Sequence, residues 1–185
     1  MRLTLKRHRD SRGTAATSID VEVTPLPSGT VELRYHVSGI ISDLRIPPQA
    51  VANRTDALWR HTCFEAFIRA PQSAAYYELN FSPSTEWAAY RFSGYRDGMK
   101  IAQDIGPPRT KLASNSAEFE LQTSFELGQL LPDLPSNAKR HLGLSAVVEQ
   151  ANGDMSYWAL VHPPGKPDFH HPDCFAHTLP AMGAP

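Results

Sequence analysis

Cysteine is scarce in this chain: Cys63 and Cys174 are the only two in 185 residues, and they lie far apart. With no sign of export, that scarcity argues against a disulfide-held fold and for two reduced thiols. An excess of charge is missing as well. Lys and Arg total 18 against 19 for Asp and Glu, so no long-range field draws the chain to nucleic acid or to an anionic membrane. No apolar run approaches the ~20 residues of a membrane span. The N-terminus lacks the apolar stretch and small-residue cleavage site of a secretory signal, which makes the cytoplasm the expected location. Helical periodicity is rare, and no nucleophile elbow, phosphate loop or dinucleotide glycine pattern occurs. Internal repeats, low-complexity tracts and shifts of composition are absent too, so residues 1–185 read as one domain, long enough to bury its own core.

Proline, by contrast, is abundant at 16 residues, and its clusters mark where strands stop. Between them lie alternating or β-rich runs at Ser18–Thr24, Thr30–Ser38, Leu58–Arg69, Ala75–Phe81, Trp87–Phe92, Glu118–Ser124, His141–Glu149, Ser156–Val161 and Phe175–Leu179. Pro25–Gly29 reads as a hairpin loop, and Asn152-Gly153-Asp154 is the strongest hairpin signal. The best helix candidate is Glu126–Leu131, with Ser124 as N-cap and Pro132 as stop. The basic residues gathered in Met1–Arg12 read as a solvated strand or tail. Many short strands with at most one or two short helices predict an all-β fold, an antiparallel β-sandwich or jelly roll.

The window Leu58–Met99 places aromatic and charged residues where a plain core strand would be apolar. In a strand, alternate side chains share a face. Trp59, His61, Cys63, Glu65 and Phe67 then line one side of the first strand, and Thr62, Phe64, Ala66 and Ile68 line the other. Tyr76, Glu78 and Asn80 are set against Tyr77, Leu79 and Phe81, and Trp87, Ala89 and Arg91 against Ala88, Tyr90 and Phe92. If paired as neighbours, the three strands would share a polar face carrying Trp59, His61, Glu65, Glu78, Asn80, Trp87 and Arg91. Such a face suits a sugar or another polar small molecule, with indoles stacking on its apolar patches and carboxylate, amide and guanidinium groups holding its hydroxyls. Glu65 and Arg91 would either clamp that ligand or pair with each other.

Other chemistries are open. His162, His170, His171, Cys174 and His177, together with His61 and Cys63, supply every donor type zinc prefers, although their spacing matches no finger or ribbon. Were a metal bound, His61, Cys63, His170 and Cys174 would be the first candidate set, with a zinc-dependent hydrolase as one reading. Otherwise the proline-rich stretch from His162 is a rigid flap whose Lys166, Asp168 and His170 border the site. Cys63 could be a nucleophile with His61, His162 or His171 as base, or a small core residue. Glu65 and Glu78 could form the carboxylate pair of a glycosidase, or serve binding and structure.

The segments Leu58–Ile68, Tyr77–Pro83, Trp87–Phe92, Gly94–Arg96 and Tyr157–Leu160, with the loop His162–Phe175, resemble the bacterial DOMON-like proteins related to family-nine carbohydrate-binding modules. The resemblance implies a jelly-roll β-sandwich related to modules that bind sugar ends and to cytochrome domains that bind haem. It also implies ligand contacts at Trp59, Glu65, Glu78, Asn80 and Arg91, with Trp87 or Trp158 as stacking partners. For haem, the available axial residues are Met99 and Met155 with His61, His162 or Lys166, none in a recognisable ligand motif. The expectation is therefore a non-catalytic module for a carbohydrate or sugar derivative, without cofactor, nucleic acid or membrane partner. A haem domain and the zinc hydrolase are the alternatives.

Overall fold

Apolar and polar residues alternate along much of this chain, and the backbone turns nearly every such run into a strand. The computed structural model describes residues 1–26, 29–130 and 138–179. Nine strands coincide with the expected runs: β2 (Ala16–Pro25), β3 (Thr30–Gly39), β4 (Cys63–Arg69), β5 (Tyr76–Phe81), β6 (Trp87–Phe92), β9 (Glu118–Glu126), β10 (Arg140–Glu149), β11 (Met155–Ala159) and β12 (His177–Leu179). Three more lie outside those runs: β1 (Arg2–Arg7), in the end read as a strand or tail, and the unexpected β7 (Lys100–Ile101) and β8 (Arg109–Ser114). All their pairings are antiparallel, in the order β7-β6-β5-β4-β10-β11-β1-β2-β3-β9-β8, with β12 beside β10.

The basic N-terminus, read from its charges as a strand or tail at the surface, carries the turn of this curled sheet. Arg2–Leu5 pair with β2, whereas Lys6 and Arg7 pair with Ala159 and Trp158 of β11. Its Leu5 is buried in the core between the exposed Thr4 and Lys6. On β2, β3 and β9 the period-two pattern is plain: Ile19, Val21, Val23, Val31, Leu33, Tyr35, Leu121 and Phe125 face inward, and Asp20, Glu22, Arg34, His36 and Glu120 face outward. The other half of the sheet closes on the same core. Phe64 of β4 lies between Tyr35 and Phe119, with ring centroids 5.0 and 6.0 Å away, and the Tyr35 hydroxyl donates 2.8 Å to the Glu65 carbonyl.

Strands β4, β5, β6 and β10 are buried on both faces. One face meets the common core; the other carries a second cluster around Phe67, Tyr76, Tyr90 and Phe92, joined by Phe169 and Phe175 from the loop after β11. Gly143 of β10 permits that loop to come close, because a Cβ there would lie 2.9 Å from the Cys174 carbonyl. The Cys174 thiol ties the loop to itself, 3.2 Å from the carbonyls of both Val161 and Asp168.

Several expectations are corrected. Leu58–Arg60 is a 3-10 turn, entered through Ala57 at φ 60°, and β4 begins only at Cys63. The expected helix is a single turn, α1 (Leu127–Leu130), and Ser124 lies inside β9 instead of capping it. Leu131 and Pro132, like Pro27 and Ser28 of the first hairpin, lie outside the described residues. The Asn152-Gly153-Asp154 hairpin joins β10 to β11, with Gly153 at φ 87° and the Gln150 amide donating 2.9 Å to the Asp154 carbonyl.

Candidate functional site

Between the outer face of β4, β5, β6, β10 and β11 and the loop that crosses it lies a cavity of about 340 Å³. It is lined by Trp59, Glu65, Glu78, Phe92, Arg96, Met99, Val147, Tyr157, Pro167, Phe169 and His170. Glu65 and Glu78 are its buried polar groups, 2% and 5% exposed. They are diagonal neighbours: Glu65 pairs with Asn80, and Phe67 with Glu78. Such neighbours stand roughly 7–8 Å apart.

Each carboxyl is held by one oxygen. Ser145 of β10 donates 2.9 Å to Glu65 Oε2, and Asn80 donates 2.7 Å to Glu78 Oε1. Asn80 is itself fully buried, its carbonyl oxygen 3.4 Å from the Cys63 thiol, so it holds Glu78 in place and does not line the cavity. Burial, then the nearby Glu78 charge, pushes Glu65 up to about 8; burial likewise pushes Glu78 up to about 7. Both are therefore carboxyls whose neutral form the fold favours.

His170 closes the cavity from the loop. Its ring meets Phe67 and Phe92 edge-on at 5.1 Å each, its Nδ1 is 2.8 Å from the Tyr76 hydroxyl, and its Nε2 is 3.8 Å from Glu78 Oε2. Burial, with the Arg96 charge adding to it, holds His170 down to about 4, so the imidazole is neutral at pH 7. Because the Arg96 amide already donates to the Tyr76 oxygen at 3.2 Å, the Tyr76 proton is free to go to Nδ1. That tautomer leaves Nε2–H facing Glu78. Arg96 follows β6 in the left-handed region at φ 54°, and its Nε and Nη2 lie 3.2 and 2.8 Å from Asp168 Oδ1. Tyr95 donates to the other oxygen of the same carboxylate. The apolar wall is Trp59, 36% exposed and edge-on to Tyr90 at 5.8 Å, with Phe92, Met99, Tyr157 and Phe169.

The structure brings Trp59, Glu65 and Glu78 together on this cavity, with Asn80 just beneath. It separates Trp87 and Arg91 from them. Pairing sets Tyr90 opposite Glu78, Ala88 opposite Asn80, Trp87 opposite Phe81 and Arg91 opposite Tyr77. Residues directly opposite share a face, so Trp87, Ala89 and Arg91 stand on the side away from Glu78. Trp87 is a core residue with the Arg54 guanidinium 4.1 Å from its ring centre, and Arg91 is exposed beside Lys100. No Glu65–Arg91 pair forms. Trp158 is likewise in the core, its Nε1 donating to Ser156, while its neighbour Tyr157 reaches the cavity.

The expected metal donors are dispersed. His61 is exposed and bonds Glu149 at 2.8 Å, Cys63 is buried against Asn80, and Cys174 is engaged with loop carbonyls. Among the described residues no group of three or more His, Cys, Asp or Glu is arranged to hold a metal. Burial pushes the Cys63 thiol well above its ordinary value and Cys174 up to about 12, the opposite of an activated nucleophile. The haem candidates named from sequence are dispersed as well. Met99 reaches the cavity, but His61 is held by Glu149, His162 by the Lys6 carbonyl at 2.7 Å, and Met155 lies opposite Glu149 in the β10–β11 ladder. Among the described residues no helix is long and apolar enough to cross a membrane.

The lining residues that sequence reading missed are Phe92, Arg96, Met99, Val147, Tyr157, Pro167 and Phe169. Gly94-Tyr95-Arg96 belonged to the resemblance, and His170 and Asp168 to the expected flap. Alternation grouped Phe92 with Tyr90 and Ala88, but which face of β6 or β11 meets the cavity depends on register, which the pattern does not carry.

No family model matches the chain, and no curated protein sequence does. In three dimensions the chain is similar to a candidate carbohydrate-binding protein from Bacteroides uniformis. The TM-score is 0.65 at 12% identity, covering 94% of this chain and 83% of that one, which establishes a shared all-β fold. It is also similar to a carbohydrate-binding module of family 9 from Caldicellulosiruptor kristjanssonii, solved with glucose. There the TM-score is 0.48 at 12% identity, covering 87% of this chain and 75% of that one.

Proposed function

We propose that this chain is a non-catalytic carbohydrate-binding domain, a jelly-roll β-sandwich akin to the DOMON-like proteins, and that the sugar sits in the cavity beneath the loop after β11. One observation carries the reading. A concave site walled by Trp59, Tyr157 and Phe92 has at its floor two buried carboxyls, each with one oxygen that makes no hydrogen bond among the described residues. Aromatic faces take the C–H side of a sugar ring, while carboxyl oxygens and a neutral imidazole N–H hold hydroxyls that pass over them. A volume of about 340 Å³ lies in the range of small-molecule sites. The fold neighbour from Bacteroides uniformis is described as a candidate carbohydrate-binding protein, which agrees with this reading. In it, no haem or metal takes part, and Trp59, Glu65, Glu78, His170 and Arg96 make the contacts.

The test is a thermal-shift screen of hexoses, hexosamines, N-acetylhexosamines, sugar phosphates, nucleotide sugars, haem and zinc, followed by calorimetric titration of the hits. A ligand that binds only the native state raises the melting temperature. At least one sugar class is expected to do so, and Trp59→Ala is expected to weaken it. Aromatic contacts contribute ~0.5–1.5 kcal/mol beyond area, so the loss should be roughly two- to ten-fold. A shift with haem or zinc alone, and none with any sugar, would overturn the proposal.

A further inference from the structure

We infer that the cavity selects a sugar bearing a protonated amine, a hexosamine rather than a neutral hexose; this deepens the carbohydrate reading above and rests on it. The argument begins with the charges around the floor. Glu65 and Glu78 are both more than nine-tenths buried, and both line the cavity. Glu65 Oε1 has no hydrogen bond among the described residues, and the nearest cation-forming group to Glu78 Oε2 is His170 Nε2, 3.8 Å away. Among the described residues the permanent cation on the wall is Arg96, already committed to Asp168 through two of its nitrogens. His170 adds no positive charge at neutral pH, its ring being enclosed by Phe67, Phe92 and Tyr76. Among the described residues the floor is thus a pair of acids with no cation bonded to them, Arg96 acting on both only through its field while it contacts Asp168, and it faces an aromatic wall.

That combination suits an organic cation better than a neutral ring. A buried carboxylate is stabilised by a cation that arrives with hydrogen-bond donors, and an ammonium group also gains from the faces of Trp59 and Tyr157. A neutral sugar can use the same oxygens but gives the acids no reason to ionise. A bare metal ion fits less well, since among the described residues no group of three or more His, Cys, Asp or Glu is arranged to hold one.

Proton linkage follows. The other groups facing the pair keep their state across the neutral range. Burial pushes up the hydroxyls of Tyr35, Tyr76 and Tyr90 and the Cys63 thiol, so all four stay protonated. Arg96, paired with Asp168, keeps its charge and draws both acids down somewhat, and His170 remains neutral. An amine resembling an α-amino group stays protonated below about pH 7.7. Its entry therefore expels protons from the Glu65–Glu78 pair and binds more tightly as pH rises from 5.5 to 7, while a neutral hexose shows neither effect.

The experiment titrates the intact protein by calorimetry with matched sets, each a hexose, its 2-amino-2-deoxy form and the N-acetyl form of that amine. The titrations run at pH 5.5 and 7 in buffers of differing ionisation enthalpy. The expected result is a hexosamine at least ten-fold tighter than both neutral partners at pH 7, a smaller advantage at pH 5.5, and proton release for the amine alone. Glu65→Gln and Glu78→Gln, each checked for an intact melting transition, should abolish the preference. The buffer dependence of the unaltered protein decides the matter even if neither variant folds. Neutral hexose or N-acetyl sugar binding as tightly as the amine would overturn this inference and leave the carbohydrate reading standing. A simple amine such as ethanolamine binding as well as the hexosamine would overturn both.

Discussion

At the scale of single residues, two tryptophans and two arginines divide the molecule between site and scaffold. Trp59 and Arg96 line the cavity; Trp87 and Arg91 stand on the opposite face of the sheet. Arg91 is exposed and makes no pair with Glu65. Arg91→Ala should therefore leave both melting temperature and sugar affinity within error, since surface substitutions away from special features stay within ~0.5 kcal/mol. A loss of about 3–5 kcal/mol, the signature of a stranded buried carboxylate, would show that the guanidinium reaches Glu65 after all. Trp87 is a core residue 6% exposed, so Trp87→Ala should cost about 3–5 kcal/mol in a denaturant melt. Affinity per folded molecule should not change. From sequence these four residues could not be sorted. An indole or guanidinium in a strand reads the same on either face, and only the pairing partner says which face that is.

At the scale of elements, the site is made by a loop docked on a sheet. Gly143 and Cys174 set how closely they meet, because a methyl at 143 would fall 2.9 Å from a backbone carbonyl that has no flexible end to yield. Gly143→Ala should cost ~1–3 kcal/mol, as overpacking does. By displacing the turn at Pro172–Cys174 it should also weaken any ligand of the cavity. An unchanged melt with unchanged affinity would mean that the loop does not rest on β10 as described. The strands themselves were mostly legible, because alternation is a local property of the backbone with a period of two. The strands that escaped were those whose charges mask the alternation, as in β1, where Leu5 lies buried among Arg2, Lys6 and Arg7, and the exposed edges β7 and β8. The stretch at Trp59 erred the other way. Its apparent alternation continues that of β4, but Ala57 at positive φ turns the chain into a 3-10 turn before the strand begins.

At the scale of the whole molecule, the buried acids and the buried imidazole give stability opposing dependences on pH. Glu65 and Glu78 hold their protons to higher pH in the folded chain than when unfolded. The stability tied to their neutral form is complete below about 4.5 and is lost as pH rises through about 7 and about 8. His170 is held down to about 4 from 6.5, so its contribution is complete above 6.5 and is lost as pH falls toward 4. Between pH 4.5 and 6.5 the two oppose each other; from 6.5 to 8.5 only the acids act. The melting temperature should fall across that upper window, and Glu65→Gln or Glu78→Gln should flatten the fall. A melting temperature that is level or rising there would show that the two carboxyls are ionised in the folded chain without penalty. The sequence by itself determined most of the strands, their hairpin signals, the all-β class and the residue types gathered at the cavity, because each of these rests on local pattern and composition. Only the tertiary structure decided that Tyr90 and not Trp87 shares a face with Glu78, that Tyr157 and not Trp158 reaches the cavity, and that His170 closes over two acids. Those facts depend on the register between strands distant in sequence and on a loop held by its own thiol. A one-residue change of register exchanges the two faces of a strand without altering its pattern.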